Sequence, residues 1–142
     1  MELVDSIKYN FDKIGYIKNL IVKWEPVGCK TEKEYENSLY NFFHKSLPNT
    51  QITKQYAKGR IKADIVIDQQ YIIELKNKLT SRANYQRLLG QLIEYKTWEG
   101  IIILLLIGES DQNFIKEIKS FIKKEDSSLL VYSPKFILIE KI

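Results

Sequence analysis

The 142-residue chain has one cysteine, Cys29, and one histidine, His44. A lone cysteine excludes an internal disulfide, and Cys29 reads as a small buried or half-buried filler rather than a nucleophile. A single histidine argues against His-based zinc sites and against Ser-His-Asp chemistry. Hydrolytic chemistry in this chain therefore has to run on carboxylates, lysines and oxygen-preferring metals. Long apolar runs are also missing. The longest, Ile101 to Ile107, is far too short to span a bilayer. The opening stretch MELVDSIKYN is charged early and has no apolar core run, so no secretory leader is expected and the expected location is the cytoplasm. Internal repeats and low-complexity linkers are absent too, and the length suits one compact domain. The net charge of +4 and pI near 9 permit a polyanionic partner without requiring one.

Apolar residues at Val4, Ile7, Phe11, Ile14, Ile17, Leu20, Ile21 and Trp24 have helical spacing, with Gly15 as a candidate break. Thr31 followed by Glu34 has the form of a capping box, and opens a helix over roughly 32–46 that buries Tyr35, Leu39, Phe42 and Phe43. Residues 51–57, 61–67 and 71–76 read as strands, the last two joined through Asp68-Gln69-Gln70 as a hairpin. Thr80 or Ser81 caps a helix running to about Trp98, with Leu88, Leu89, Leu92 and Ile93 inward. Ile101 to Ile107 is continuously apolar, as a central strand covered on both faces is. Asp111 caps a further helix, with Phe114, Ile115, Ile118, Phe121 and Ile122 inward, and 129–132 and 135–140 are the last strands. The expected architecture is α/β, a mixed sheet flanked by helices in the order α-α-β-β-β-α-β-α-β-β. Residues 1–30 are its N-terminal helical extension, 31–107 its core, and 108–142 the C-terminal helix and strands.

Chemistry concentrates on the hairpin. Residues two apart in a strand share a face, so Glu74 and Lys76 point together while Leu75 points away. With the turn at Asp68 to Gln70, Asp64 on the partner strand can meet them. Two carboxylates and an ammonium on otherwise apolar strands are costly to bury without a use. Metal-assisted phosphodiester hydrolysis fits: paired carboxylate oxygens suit Mg²⁺, with Mn²⁺ as substitute, and Lys76 would lie beside the attacking water or the scissile phosphate. Asp64 also fits a solvated strand end, and Glu74 with Lys76 an exposed pair of little energetic weight. Against that, both acids stand at the ends of apolar runs, Ile65-Val66-Ile67 and Ile72-Ile73.

Asp64, nine intervening residues and then Glu74-Leu75-Lys76 resemble the PD-(D/E)XK nuclease signature. Upstream, Glu36-x-x-Leu39-x-x-x-Phe43 resembles the helix that donates an acidic group to the site in archaeal Holliday-junction resolvases. Downstream, Gln91-x-x-x-Tyr95 resembles the Q-x-x-x-Y helix of the helicase-associated exonuclease branch, which packs beside the catalytic strands and reaches the DNA backbone. The resemblance spans residues 32–107. Ala63 stands where the signature has proline, and the N-terminal helix and last two strands match nothing in the family.

The resemblance implies a restriction-endonuclease-like fold and a nuclease acting on DNA, with Asp64, Glu74, Lys76 and Glu36 as catalytic residues. It also implies a metal held by Asp64, Glu74, the Leu75 backbone carbonyl and Glu36. Glu36 fits a plain solvated helix face nearly as well, and Gln91 and Tyr95 also fit an ordinary helix surface or, for Tyr95, the core. Arg60, Lys62, Lys78, Arg82 and Arg87 surround the motif and are candidate phosphate contacts, with general solubility as the competing role of each. Trp24 and Trp98 read as packing anchors. A dimeric resolvase, RNA cleavage and a binding module without turnover remain open beside a general DNA nuclease, and a homodimer remains open with them.

Overall fold

A computed structural model of the chain describes residues 2–128 and 134–142. Two compact units are present, Met1–Ile52 and Thr53–Ile142.

The first unit is helical. Helix α1 spans Leu3–Phe11, α2 Lys13–Lys23 and α3 Glu32–Ser46. The single helix expected over 3–24 is two helices, and the break falls at Asp12 rather than Gly15. Asp12 caps α2, its Oδ1 accepting the Gly15 N–H at 3.0 Å. Gly15 makes that cap possible: a Cβ there would lie 2.3 Å from Asp12 Oδ2. Ile17, Leu20, Ile21 and Trp24 are buried, whereas Val4, Ile7 and Phe11 of α1 stand 58%, 60% and 92% exposed. The inward pattern thus holds for α2 and fails for α1. Helix α3 starts on the expected capping box, Thr31 Oγ1 accepting from Glu34 N–H and Glu34 Oε1 from Thr31 N–H. It buries Leu39, Phe43 and, unexpectedly for an acid, Glu36, while Tyr35 and Phe42 are half-buried. Trp24 acts as the packing anchor expected, with its indole N–H donating to Ser38 Oγ at 3.0 Å.

The second unit is a five-stranded mixed sheet flanked by helices. Its strands are β1 Ile52–Lys58, β2 Ile61–Ile67, β3 Tyr71–Asn77, β4 Ile101–Ile107 and β5 Phe136–Lys141, side by side in that order. Strands β2 and β3 are antiparallel, and β3, β4 and β5 run parallel. Asp68 and Gln69 take φ of 57° and 51°, and Gln70 N–H donates to the Ile67 carbonyl, as in the left-handed hairpin turns that match strand twist. The expected strand 129–132 lies outside the described residues.

Helix α4 spans Arg82–Glu94 and continues as a 3-10 turn, Tyr95–Thr97; Ser81 is its cap, accepting from Asn84 N–H. Helix α5, Gln112–Ser128, begins after Asp111, whose Oδ1 accepts from Asn113 N–H at 2.8 Å. Ala63, Val66, Ile72, Tyr85, Leu88, Leu92, Tyr95, Ile102, Leu104 and Ile118 form one buried cluster. Ile93, expected inward, is 53% exposed, and Tyr95 takes the inner position instead. One carbonyl fixes the start of β4: Gln70 O accepts from Ile101 N–H at 2.9 Å and from the Trp98 indole at 3.0 Å. Gly100 passes so close that a Cβ would lie 1.7 Å from the same oxygen.

Candidate active site

The β2–β3 ladder pairs Ile67 with Tyr71, Val66 with Ile72 and Ile65 with Ile73. The next rung of that register sets Asp64 opposite Glu74. There the ladder changes character, because Leu75 N–H donates to the Asp64 carboxylate, Oδ2, at 2.9 Å. Strand β2 also breaks its alternation at this point. Ala63 and Val66 are three apart yet belong to the same buried cluster, whereas strict alternation puts them on opposite faces. Such a slip re-aims a side chain locally, and Asp64 is the residue it turns toward β3.

Glu74 is 1% exposed. Strand β3 puts it on the same side as Ile72, under α4, and the phenol of Tyr95 comes down on it. Tyr95, also 1% exposed, places its hydroxyl 2.5 Å from Glu74 Oε2 and 2.6 Å from the Lys62 carbonyl oxygen. A phenol has one proton and a carbonyl can only accept. When Tyr95 donates to Lys62 O, Glu74 must carry the proton that bridges to Tyr95; when Glu74 is ionised, Tyr95 donates to it. The other oxygen, Oε1, is buried with no hydrogen-bond partner, and the Lys76 ammonium stands 3.5 Å away as a long ionic contact. Lys76 is 19% exposed, so it links the buried acid to solvent.

Burial, and next the Asp64 charge, push the Glu74 carboxyl up to about 8, with Tyr95 and Lys76 acting in the opposite direction. Burial and the adjacent Glu74 charge likewise raise Tyr95, which makes it a donor at any ordinary pH. An acid held near neutrality beside a second carboxylate and an ammonium is the kind of perturbed group that functional sites contain.

Asp64, Glu74 and Lys76 are thus brought together, within the second unit alone. Glu36 belongs to the first unit, on α3, where it is buried. Gln91 lies one turn before Tyr95 on α4, half-buried, with its Oε1 buried and without a hydrogen-bond partner. Tyr95 was expected at the DNA backbone; its burial and its bond to Glu74 place it behind the acid instead. The clue was its spacing, since Tyr85, Leu88, Leu92 and Tyr95 form one helical stripe.

The basic residues divide. Lys62 and Lys78 are exposed. Arg60 lies 3.8 Å from Glu94 in a well-exposed pair. Arg82 is largely exposed, lying over the Phe114 ring at 5.0 Å and beside Glu117 at 3.9 Å. Arg87 donates to Asn84 Oδ1 at 2.7 Å on the α4 surface.

Among the described residues no group of three or more His, Cys, Asp or Glu side chains is arranged to hold a metal. The site itself offers two carboxylates, Asp64 and Glu74, and Mg²⁺ asks for little more, since it keeps several waters and binds proteins through one or two carboxylates plus substrate phosphate. The orphaned Glu74 Oε1 suits a cation in the same way. No helix among the described residues is long and apolar enough to cross a membrane. No protein-family model, curated protein or solved structure matches the chain.

Proposed function

We propose that this chain is a Mg²⁺- or Mn²⁺-dependent nuclease of the PD-(D/E)XK type, hydrolysing phosphodiester bonds in DNA. The observation that carries it is the buried Glu74 carboxyl, with one oxygen bonded to Tyr95 and the other lacking a hydrogen bond, flanked by Asp64 and Lys76. Burying such a group costs stability unless something binds it.

Asp64 and Glu74 are the side chains that would hold the cation, with the Leu75 carbonyl as a backbone ligand. When bound, the cation supplies a water of lowered pKa and offsets charge growing on the phosphate. Lys76, at the rim, holds its ammonium where it can neutralise a phosphate oxygen or order the attacking water. Asp64 is itself oriented by the Leu75 N–H, which fixes one of its oxygens. The exposed Lys62 and Lys78 suit contacts to the phosphate backbone, which position a duplex without reading its sequence.

The test is cleavage of supercoiled, linear and branched DNA, and of RNA, with Mg²⁺, Mn²⁺ or EDTA, for wild type beside Glu74→Ala and Lys76→Ala. Metal-dependent cleavage of DNA lost in both variants is the expected result. Cleavage that survives Glu74→Ala refutes the site, a preference for RNA corrects the substrate, and a strong preference for branched DNA favours a junction resolvase.

A further inference from the structure

We infer that Tyr95 is a positioning residue: it ties Oε2 of Glu74, so that Oε1 alone is presented and the carboxylate binds a divalent cation through one oxygen. This rests on the proposed metal site and specifies how that site selects its ion.

Three observations combine. The Tyr95 hydroxyl reaches Glu74 Oε2 and, 2.6 Å away, the Lys62 carbonyl, so it bridges β2 and β3. Its ring cannot swing clear, because it is 1% exposed and packed in the cluster with Leu92 and Ile102. Oε1 is buried, has no hydrogen-bond partner, and faces the Lys76 ammonium at 3.5 Å. With one oxygen tied to Tyr95 and the other meeting only the Lys76 ammonium at 3.5 Å, the Glu74 carboxyl is asymmetric before any ion arrives.

That asymmetry has a consequence for ion choice. Ca²⁺ takes six to eight oxygens and readily accepts both oxygens of one carboxylate, whereas Mg²⁺ demands near-octahedral geometry from single oxygens. A Glu74 restricted to Oε1 favours the smaller ion, for which Mn²⁺ is the spectroscopic probe. Groups that orient metal ligands from behind typically change metal affinity by about 10- to 100-fold when removed.

Tyr95→Phe keeps the ring and deletes only the donor. The experiment measures Mn²⁺ and Ca²⁺ binding to the full chain without DNA, by electron paramagnetic resonance of free Mn²⁺ and by Ca²⁺ competition. Wild type, Tyr95→Phe and Glu74→Gln are compared, with folding followed by circular dichroism. Expected are loss of binding in Glu74→Gln, and about 10-fold or greater weakening of Mn²⁺ in Tyr95→Phe. Ca²⁺ weakens less in that variant, so the Mn²⁺/Ca²⁺ preference moves toward Ca²⁺. With DNA, kcat falls and KM holds. Unchanged Mn²⁺ affinity in a folded Tyr95→Phe, or equal loss of both ions, overturns the positioning role and leaves the metal site standing. Absence of binding in wild type overturns both. Infrared spectra of wild type carrying ¹³C-labelled glutamate need no variant: a single-oxygen carboxylate signature on Mn²⁺ binding is expected, and a two-oxygen signature overturns the inference.

Discussion

Glu74→Gln keeps the shape of the side chain and removes its ionisation. Burial and the adjacent Asp64 charge hold the Glu74 carboxyl at about 8, against 4.5 for the free group. Between those values the folded chain keeps a proton that the unfolded chain has released. The native state therefore binds more protons than the unfolded one, and stability falls as pH rises. The contribution is intact below 4.5, erodes through the interval and is fully lost above about 8. At about 1.36 kcal/mol per pH unit the interval amounts to on the order of 4–5 kcal/mol, a large share of the roughly 5–15 kcal/mol that holds a domain folded. A glutamine at 74 has no proton to lose. The variant should match wild type near about pH 5 and exceed it by roughly that amount near about pH 9. Urea unfolding in EDTA, followed by circular dichroism across that range, gives the difference directly. A difference that stays flat with pH refutes a buried, protonated Glu74.

A divalent cation must displace the Glu74 proton, so Mn²⁺ affinity should rise by up to about tenfold per pH unit and level off above about 8; calorimetric titration at several pH values checks this, and a flat profile counts against Glu74 as a ligand. Gly100→Ala drives a Cβ to within 1.7 Å of the Gln70 carbonyl oxygen, and about 3 kcal/mol or more of stability should be lost; an unchanged melting temperature shows that the turn yields freely. Leu92→Ala, at a fully buried position, should cost about 2–5 kcal/mol, while Ile93→Ala on the exposed side of the same helix should stay within about 0.5 kcal/mol. Equal losses at the two positions place the inner face of α4 wrongly.

The parts of the fold that were legible in the sequence are those where one local signal decides. Strands β2 and β4 have the expected bounds because their apolar runs end abruptly in Asp68-Gln69 and Gly108. Helix α3 has the expected bounds because Thr31 and Glu34 close a capping box visible at fixed spacing. Asp64 and Glu74 could be paired from the sequence because a short turn over Asp68 to Gln70 sets Ile67 against Tyr71, and counting outward from that pair brings 64 opposite 74. The misses have competing causes. Gly15 drew the helix break to itself, although it is Asp12 that ends one helix and caps the next, with Gly15 making room for the carboxylate. Ile93 neighbours Leu92 and turns outward, 53% exposed, while Leu89 is half-buried against the core as expected; Tyr95, further on, completes the stripe. The bond from Tyr95 to Glu74 joins residues 21 apart, and only the packing of α4 on the sheet reveals it.

The clamp at Gln70, where one carbonyl serves both Ile101 and Trp98 while Gly100 presses against it, bears on how this sequence can change length. Deleting one residue between Ile67 and Tyr71 would advance β3 by one position against β2, and inserting one would set it back by one. Because side chains in a strand alternate with a period of two, Leu75 after a deletion, or Ile73 after an insertion, would then stand where Glu74 now does. Every chemically active residue would still be present in the sequence, and the cluster would be gone. Lineages carrying this hairpin should therefore tolerate substitutions at Asp68 and Gln69 far better than indels there, and a surviving indel should be paired with a compensating one at 98–100.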